Sequence, residues 1–181
     1  VDQEDPTAMY HLGGLYLQGD DEIKDVEKGI QFMEQAANRG VTQAQLWLGE
    51  IYLNGAIAQQ DFHLAVKWFQ LAANAGDKGA LCHLGVMHER GEGMEVDLAK
   101  AAEFYLKSAE KGHAGAAYIL AVMLYSGQGV DKDQAKAIRF FEQSGSCSAE
   151  GYPAGSSFLS KGCCSGQRQG TMQSWCDLPS W

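Results

Sequence analysis

The chain has 181 residues and a formal net charge of −9, with a sequence pI near 4.9. Its 14 Lys and Arg residues are scattered, which speaks against a nucleic-acid partner, because such binders present a clustered basic face. No uninterrupted apolar run reaches the ~18 residues from which a membrane-spanning helix is read, so no membrane span is expected in this chain.

The first residues are Val1, Asp2, Gln3, Glu4, Asp5 and Pro6, with neither an initiator Met nor a signal-peptide apolar region, and the chain reads as a fragment or processed product. From there one pattern recurs every 36 residues. Ala8, Ala44, Ala80 and Ala116 are one period apart, as are Leu12, Leu48, Leu84 and Leu120, and Gly19, Gly55, Gly91 and Gly127. Asp25, Asp61, Asp97 and Asp133 follow the same spacing, and so do Phe32, Trp68, Phe104 and Phe140. A fixed period of this length marks stacked supersecondary units, whose core is spread along the array.

The third unit shows what each copy does. Ala80, Leu84, Met87 and His88 share one face at helical spacing, which predicts an amphipathic helix A. Gly91 ends it, since glycine accepts the left-handed conformation cheaply at a helix C-terminus. Asp97 then precedes LAKAAEFYLKSAEK and reads as the N-cap of a helix B, its carboxylate accepting from free backbone amides. The same grammar predicts A helices over 6–18, 42–54, 78–90 and 114–126, and B helices over 26–39, 62–75, 98–111 and 134–144.

Small residues recur in both helices: Gly29, Ala65, Ala101 and Ala137 in B, and Gly13, Gly49 and Gly85 in A, with Ala121 in the fourth copy. A missing side chain lets a neighbouring helix approach, and the bulky row Phe32, Trp68, Phe104 and Phe140 is expected to fill the space beside it. Gln45 is expected on the surface.

The pattern fails after residue 143, where a Ser, Gly and Cys-rich stretch runs to Trp181. That composition suits a disordered tail or a partial cap; a degenerate fifth helix A through Ala154, Phe158 and Leu159 is the alternative, and a splicing or reading-frame change would also account for the switch. The domain expected is thus a solenoid over 6–145, in units 6–41, 42–77, 78–113 and 114–145, followed by the tail 146–181. Four of the five cysteines, Cys147, Cys163, Cys164 and Cys176, lie in that tail, so no disulfide framework is expected for the array. Cys82, the single cysteine inside the repeats, and the absence of an N-x-S/T sequon tilt the reading toward a reducing, cytoplasmic compartment.

No nucleophile, base and orienting group can be assembled from the repeats, so no enzyme, cofactor or metal is expected. Cys82, His83 and His88 resemble a ligand set, but His83 and His88 are five apart and diverge on a helix, unlike a zinc helix with its ligands at i and i+4. The tail cysteines match no zinc-ribbon spacing. GEG and GQG between helices are turn glycines, without the flanking pattern of a phosphate loop.

The unit A-x3-LG-x5-G, then Asp, then a small-residue-rich helix ending AA-x2-G, resembles the Sel-1-like repeat, a relative of the tetratricopeptide repeat. The resemblance covers about 6–145, with departures in the DDEI turn of the first copy and in the fourth helix B. It implies an all-α fold, a right-handed α–α superhelix of about four helix-turn-helix units, and a role as an adaptor that binds other proteins or peptide segments. If the curvature follows tetratricopeptide arrays, the A helices line the concave face. Positions off the packed stripe then form four rows: Tyr10, Leu46, Cys82 and Tyr118; Gly14, Glu50, Val86 and Val122; Leu17, Leu53, Glu89 and Tyr125; and Gln18, Asn54, Arg90 and Ser126. Such a mixture suits a groove for a partner's segment. The plainer reading is that Leu46, Leu53, Val86 and Val122 only pack between neighbouring A helices.

Acidic residues gather in the loops at Asp20, Asp21, Glu22 and Asp25, and at Glu89, Glu92, Glu95 and Asp97, either to steer a basic partner or as a solvated edge. Two other functions fit the same chain: a regulatory or accessory segment of an enzyme, or part of a secretory-pathway adaptor complex.

Overall fold

A computed structural model describes residues 5–19 and 23–145. Within them the periodic Asp residues start the B helices. Asp25, Asp61, Asp97 and Asp133 each cap a helix by accepting from a backbone N–H two or three residues ahead. These B helices are α2 (Val26–Asn38), α4 (Phe62–Asn74), α6 (Leu98–Glu110) and α8 (Gln134–Gln143). The A helices are α1 (Pro6–Gln18), α3 (Thr42–Asn54), α5 (Lys78–Arg90) and α7 (Ala114–Ser126). Gly91 ends α5 at φ 72°, in the left-handed region that a side chain disfavours, and its N–H closes on the Met87 carbonyl.

The eight helices form an α–α solenoid with no strand among the described residues. Each substantial helix contact joins sequence neighbours: α1 with α2, α2 with α3, and onward to α7 with α8. Leu48 and Leu84, one period apart, are buried alike. Leu12 and Leu15 are not: they are 38% and 62% exposed, while their counterparts Leu48 and Ile51 are buried. The reason is that α3 packs on the preceding helix α2, whereas α1 has no preceding helix among the described residues.

Two packing expectations are corrected by the register. The residues against the helix-A glycines are Met33, Phe69 and Tyr105, one position after the expected row: a Cβ on Gly49 would meet the Phe69 ring at 2.5 Å, and one on Gly85 the Tyr105 ring at 2.7 Å. Phe32 and Phe104 instead stack on Tyr16 and His88 within their own hairpins. Gln45 is buried, not on the surface, and its Nε2 donates to the Ala37 carbonyl at 2.9 Å across the boundary between the first two units. At the same boundary the Tyr52 hydroxyl donates to Glu34 at 3.2 Å.

Later boundaries are closed by turns. A Cβ on Gly93 would lie 2.9 Å from Cβ of Phe62, and one on Gly129 only 2.5 Å from the Leu98 carbonyl oxygen, so each turn rests its backbone on the start of the preceding helix B. Ile57 holds the corresponding place in the second unit. The expectations for 146–181, including Ala154, Phe158 and Leu159, and those for Asp20, Asp21 and Glu22 lie outside the described residues.

Candidate partner-binding face

The rows expected on the A helices divide by what packs beside each position. In the first row, Tyr10 is half-buried and stands edge-on to Trp47, with ring centroids 6.4 Å apart. Tyr118 is half-buried and edge-on to Phe141 at 5.5 Å. Leu46 is half-buried against the core of the second and third units. Cys82 is fully buried and presents nothing to solvent, because it belongs to the core cluster that Tyr118 and Val122 pack against.

In the second row, Gly14 and Val122 are half-buried, while Val86 is 9% exposed and counts as core. The Glu50 side chain keeps 33% of its surface in solvent. In the third row, Leu17 is only 4% exposed and is removed from the surface. The cause is Gly29: with no Cβ in α2, that helix accepts the Leu17 side chain, which sits 2.6 Å from where a Cβ would be. The other units have Ala65, Ala101 and Ala137 there. Their counterparts of Leu17 are accordingly less covered: Leu53 and Glu89 are half-buried and Tyr125 is 49% exposed. Glu89 accepts a 2.7 Å hydrogen bond from the Tyr105 hydroxyl. The fourth row, Gln18, Asn54, Arg90 and Ser126, is exposed throughout. Arg90 lies 3.5 Å from Glu92, and the Ser126 hydroxyl donates back to the Val122 carbonyl at 2.9 Å.

Val86 belongs to a core cluster, while Leu46, Leu53 and Val122 pack against one and keep part of their surface in solvent. The two histidines considered as ligands also pack. His83 is buried and lies flat on Phe69, with centroids 4.4 Å apart, and His88 stacks on Phe104 at 5.3 Å. Burial, and then the nearby charge of Lys100, hold the His88 imidazole below its ordinary pKa. Among the described residues no three His, Cys, Asp or Glu side chains converge on a metal position, and no helix is long and apolar enough to cross a membrane.

One cavity of about 150 Å³ opens on the A-helix side between α1 and α3, lined by Gln18, Trp47, Glu50, Ile51, Asn54 and Ile57 among others. Three of those, Gln18, Glu50 and Asn54, were expected on the face. Trp47 was not, because its counterparts are His11, His83 and Ile119 and a periodic reading passes over a residue that does not recur. Its one-off aromatic identity was the signal available. Ile57 belongs here too: a side chain at this place rules out the close backbone approach made by Gly93 and Gly129.

The sequence matches the Sel1 repeat model four times, over residues 6–41, 42–77, 79–113 and 114–148. Among solved structures, the chain is similar to a protective antigen of uropathogenic Escherichia coli displaying an SLR fold, with TM-score 0.75 and 32% identity over 78% of this chain and 30% of that one. It is similar also to a Sel1 repeat protein from Oxalobacter formigenes, with TM-score 0.71 and 25% identity, covering 78% of this chain and 57% of that one. A third is the Helicobacter pylori cysteine rich protein B, at TM-score 0.55 and 25% identity, covering 71% of this chain and 91% of that one. This chain thus spans less than two thirds of the length of the first two. No curated protein matches it.

Proposed function

This chain belongs to the Sel1 repeat family, and from that premise we propose that it is a protein-interaction scaffold taking a segment of a partner protein along its A-helix face. Sel1 repeat proteins are generally protein-interaction scaffolds, typically without catalysis of their own. The observation that carries the proposal is a set of apolar and aromatic side chains left partly in solvent on three of the four A helices: Tyr10 on α1, Leu46 and Leu53 on α3, and Tyr118, Val122 and Tyr125 on α7, with the charged Glu89 and Arg90 between them on α5. Amphipathic rings offer large contact area at low entropic cost, and an extended array spreads them over one long face. Glu50, Glu89, Gln18, Asn54, Arg90 and Ser126 supply polar contacts beside that set. Leu17, Cys82 and Val86 support it from within the core.

The test replaces Tyr10 and Tyr125 by Glu and compares capture of proteins from lysate with the parent chain and with a Lys107→Glu control on α6. Capture should fall for the double variant alone, with helical circular dichroism unchanged. Equal capture by all three proteins overturns the surface.

A further inference from the structure

The cavity between α1 and α3 sits where three features that favour a cation meet. The first is charge. Across the 13 residues of α1 and the 13 of α3, Glu50 is the only acidic or basic side chain apart from His11. Its carboxylate has no Lys or Arg partner among the described residues. Its near neighbour is Nε2 of His83 at 3.4 Å, an atom that is itself buried and makes no hydrogen bond. A carboxylate on a half-buried side chain, between two helices that carry no other acidic residue and no Lys or Arg, attracts an opposite charge more strongly than one in bulk solvent.

The second feature is direction. Gln18 and Asn54, both lining the cavity, are the last residues of α1 and α3. Two helices therefore bring their C-terminal ends to one place, where the aligned peptide dipoles carry partial negative charge. The third is Trp47, which lines the same wall and whose indole is the aromatic side chain that attracts a cation most strongly.

We propose that this cavity binds an arginine side chain of the partner segment, the guanidinium lying against Trp47 and pairing with the Glu50 carboxylate, its remaining N–H groups donating to the side-chain carbonyls of Gln18 and Asn54. Arginine fits better than lysine because a flat, delocalised cation stacks on an indole and presents a fork of donors to a carboxylate. The apolar walls at Ile51 and Ile57 suit the methylene stem. This inference rests on the scaffold reading and specifies part of the partner's chemistry.

The probe is the pentapeptide acetyl-Ala-Ala-Arg-Ala-Ala-amide, titrated into the full ¹⁵N-labelled chain while the Trp47 indole N–H resonance is followed, with versions carrying lysine or the uncharged isostere citrulline. The arginine peptide should shift that resonance saturably with a Kd of about 1 mM, the scale expected of one anchoring side chain. The lysine peptide should bind several-fold more weakly and the citrulline peptide not measurably. Glu50→Gln should weaken arginine binding about tenfold or more, whereas the exposed Glu103→Gln on α6 should leave it unchanged. Absence of saturable binding, equal binding of citrulline, equal binding of lysine, or retention by Glu50→Gln overturns the inference. The capture experiment with Tyr10 and Tyr125 leaves Trp47 and Glu50 intact, so a failure here with capture still lost there removes the arginine site and leaves the scaffold standing.

Discussion

The backbone of Gly49 in α3 lies against the ring of Phe69 in α4, so closely that a methyl group on Gly49 would sit 2.5 Å from Cε1. Helix glycine costs ~1 kcal/mol relative to alanine, but this contact leaves no room for the alanine methyl group. Gly49→Ala should therefore lower the melting temperature despite its better helix propensity, because Phe69 is fully buried and has nowhere to move. Gly14→Ala is the control. There a Cβ meets only the end of Met33 at 3.8 Å, and the substitution should stabilise the chain by up to ~1 kcal/mol. A thermal melt that ranks the two variants the other way contradicts the packing.

Leu15 and Met87 occupy the same place in their units, yet one is 62% exposed and the other fully buried. Met87→Ala should cost about 2–5 kcal/mol, as core truncations do. Leu15→Ala should stay within about 0.5 kcal/mol, as surface changes do. Urea denaturation of the two variants measures both, and similar midpoints would mean that the exposed side of α1 is covered in solution.

Asp25, Asp97 and Asp133 have pKa values below the ordinary carboxylate value of 3.8. For Asp25 the chief cause is the side-chain bond to Lys28, and for Asp97 and Asp133 it is the backbone N–H of Lys100 and of Lys136. A carboxylate with a lowered folded pKa contributes stability that is present above pH 3.8 and disappears as pH falls through the folded value. Replacing all three by Asn, which caps a helix without titrating, should flatten part of the acid limb of a plot of melting temperature against pH from 5 to 2. An unchanged limb would remove these caps as its source.

His88 has the opposite charge type and the same sign of linkage. Its Nδ1 is buried without a hydrogen bond, and the lowered pKa means that the folded chain resists a proton the unfolded chain accepts. Stability should be fully present above pH 6.5 and decline as pH falls from there toward the folded pKa. His88→Leu, the residue found at the corresponding Leu124, should remove that component of the slope. Denaturant titrations at pH 7 and pH 5 provide the comparison.

Much of the fold was legible because the 36-residue period repeats the decisions that local physics makes: an Asp ahead of each helix B, a glycine after α3, α5 and α7, and an apolar stripe between. The bounds of the A helices follow from that alone. The register of side chains across each hairpin was less legible. Trp68 and Phe69 are adjacent and both bulky, and only the rotation of about 100° per residue along a helix decides that Phe69 faces Gly49. Leu17 was misplaced because its burial depends on a missing Cβ in another helix, at Gly29. Gln45 was misplaced because a polar side chain can enter the core once its amide finds a carbonyl, here that of Ala37. Trp47 stayed hidden for the reverse reason: comparison of the chain with itself finds what recurs, and its counterparts His11, His83 and Ile119 are not aromatic carbocycles of its kind.

The helices touch chiefly the ones before and after them in the chain, and that restriction reaches beyond this molecule. A protein whose interior is one shared core must redesign it whenever a segment is duplicated or lost. Here a stretch of thirty-six codons can be copied or deleted with only two seams to repair, so inheritance is free to adjust the length of the rod separately from the features carved on it.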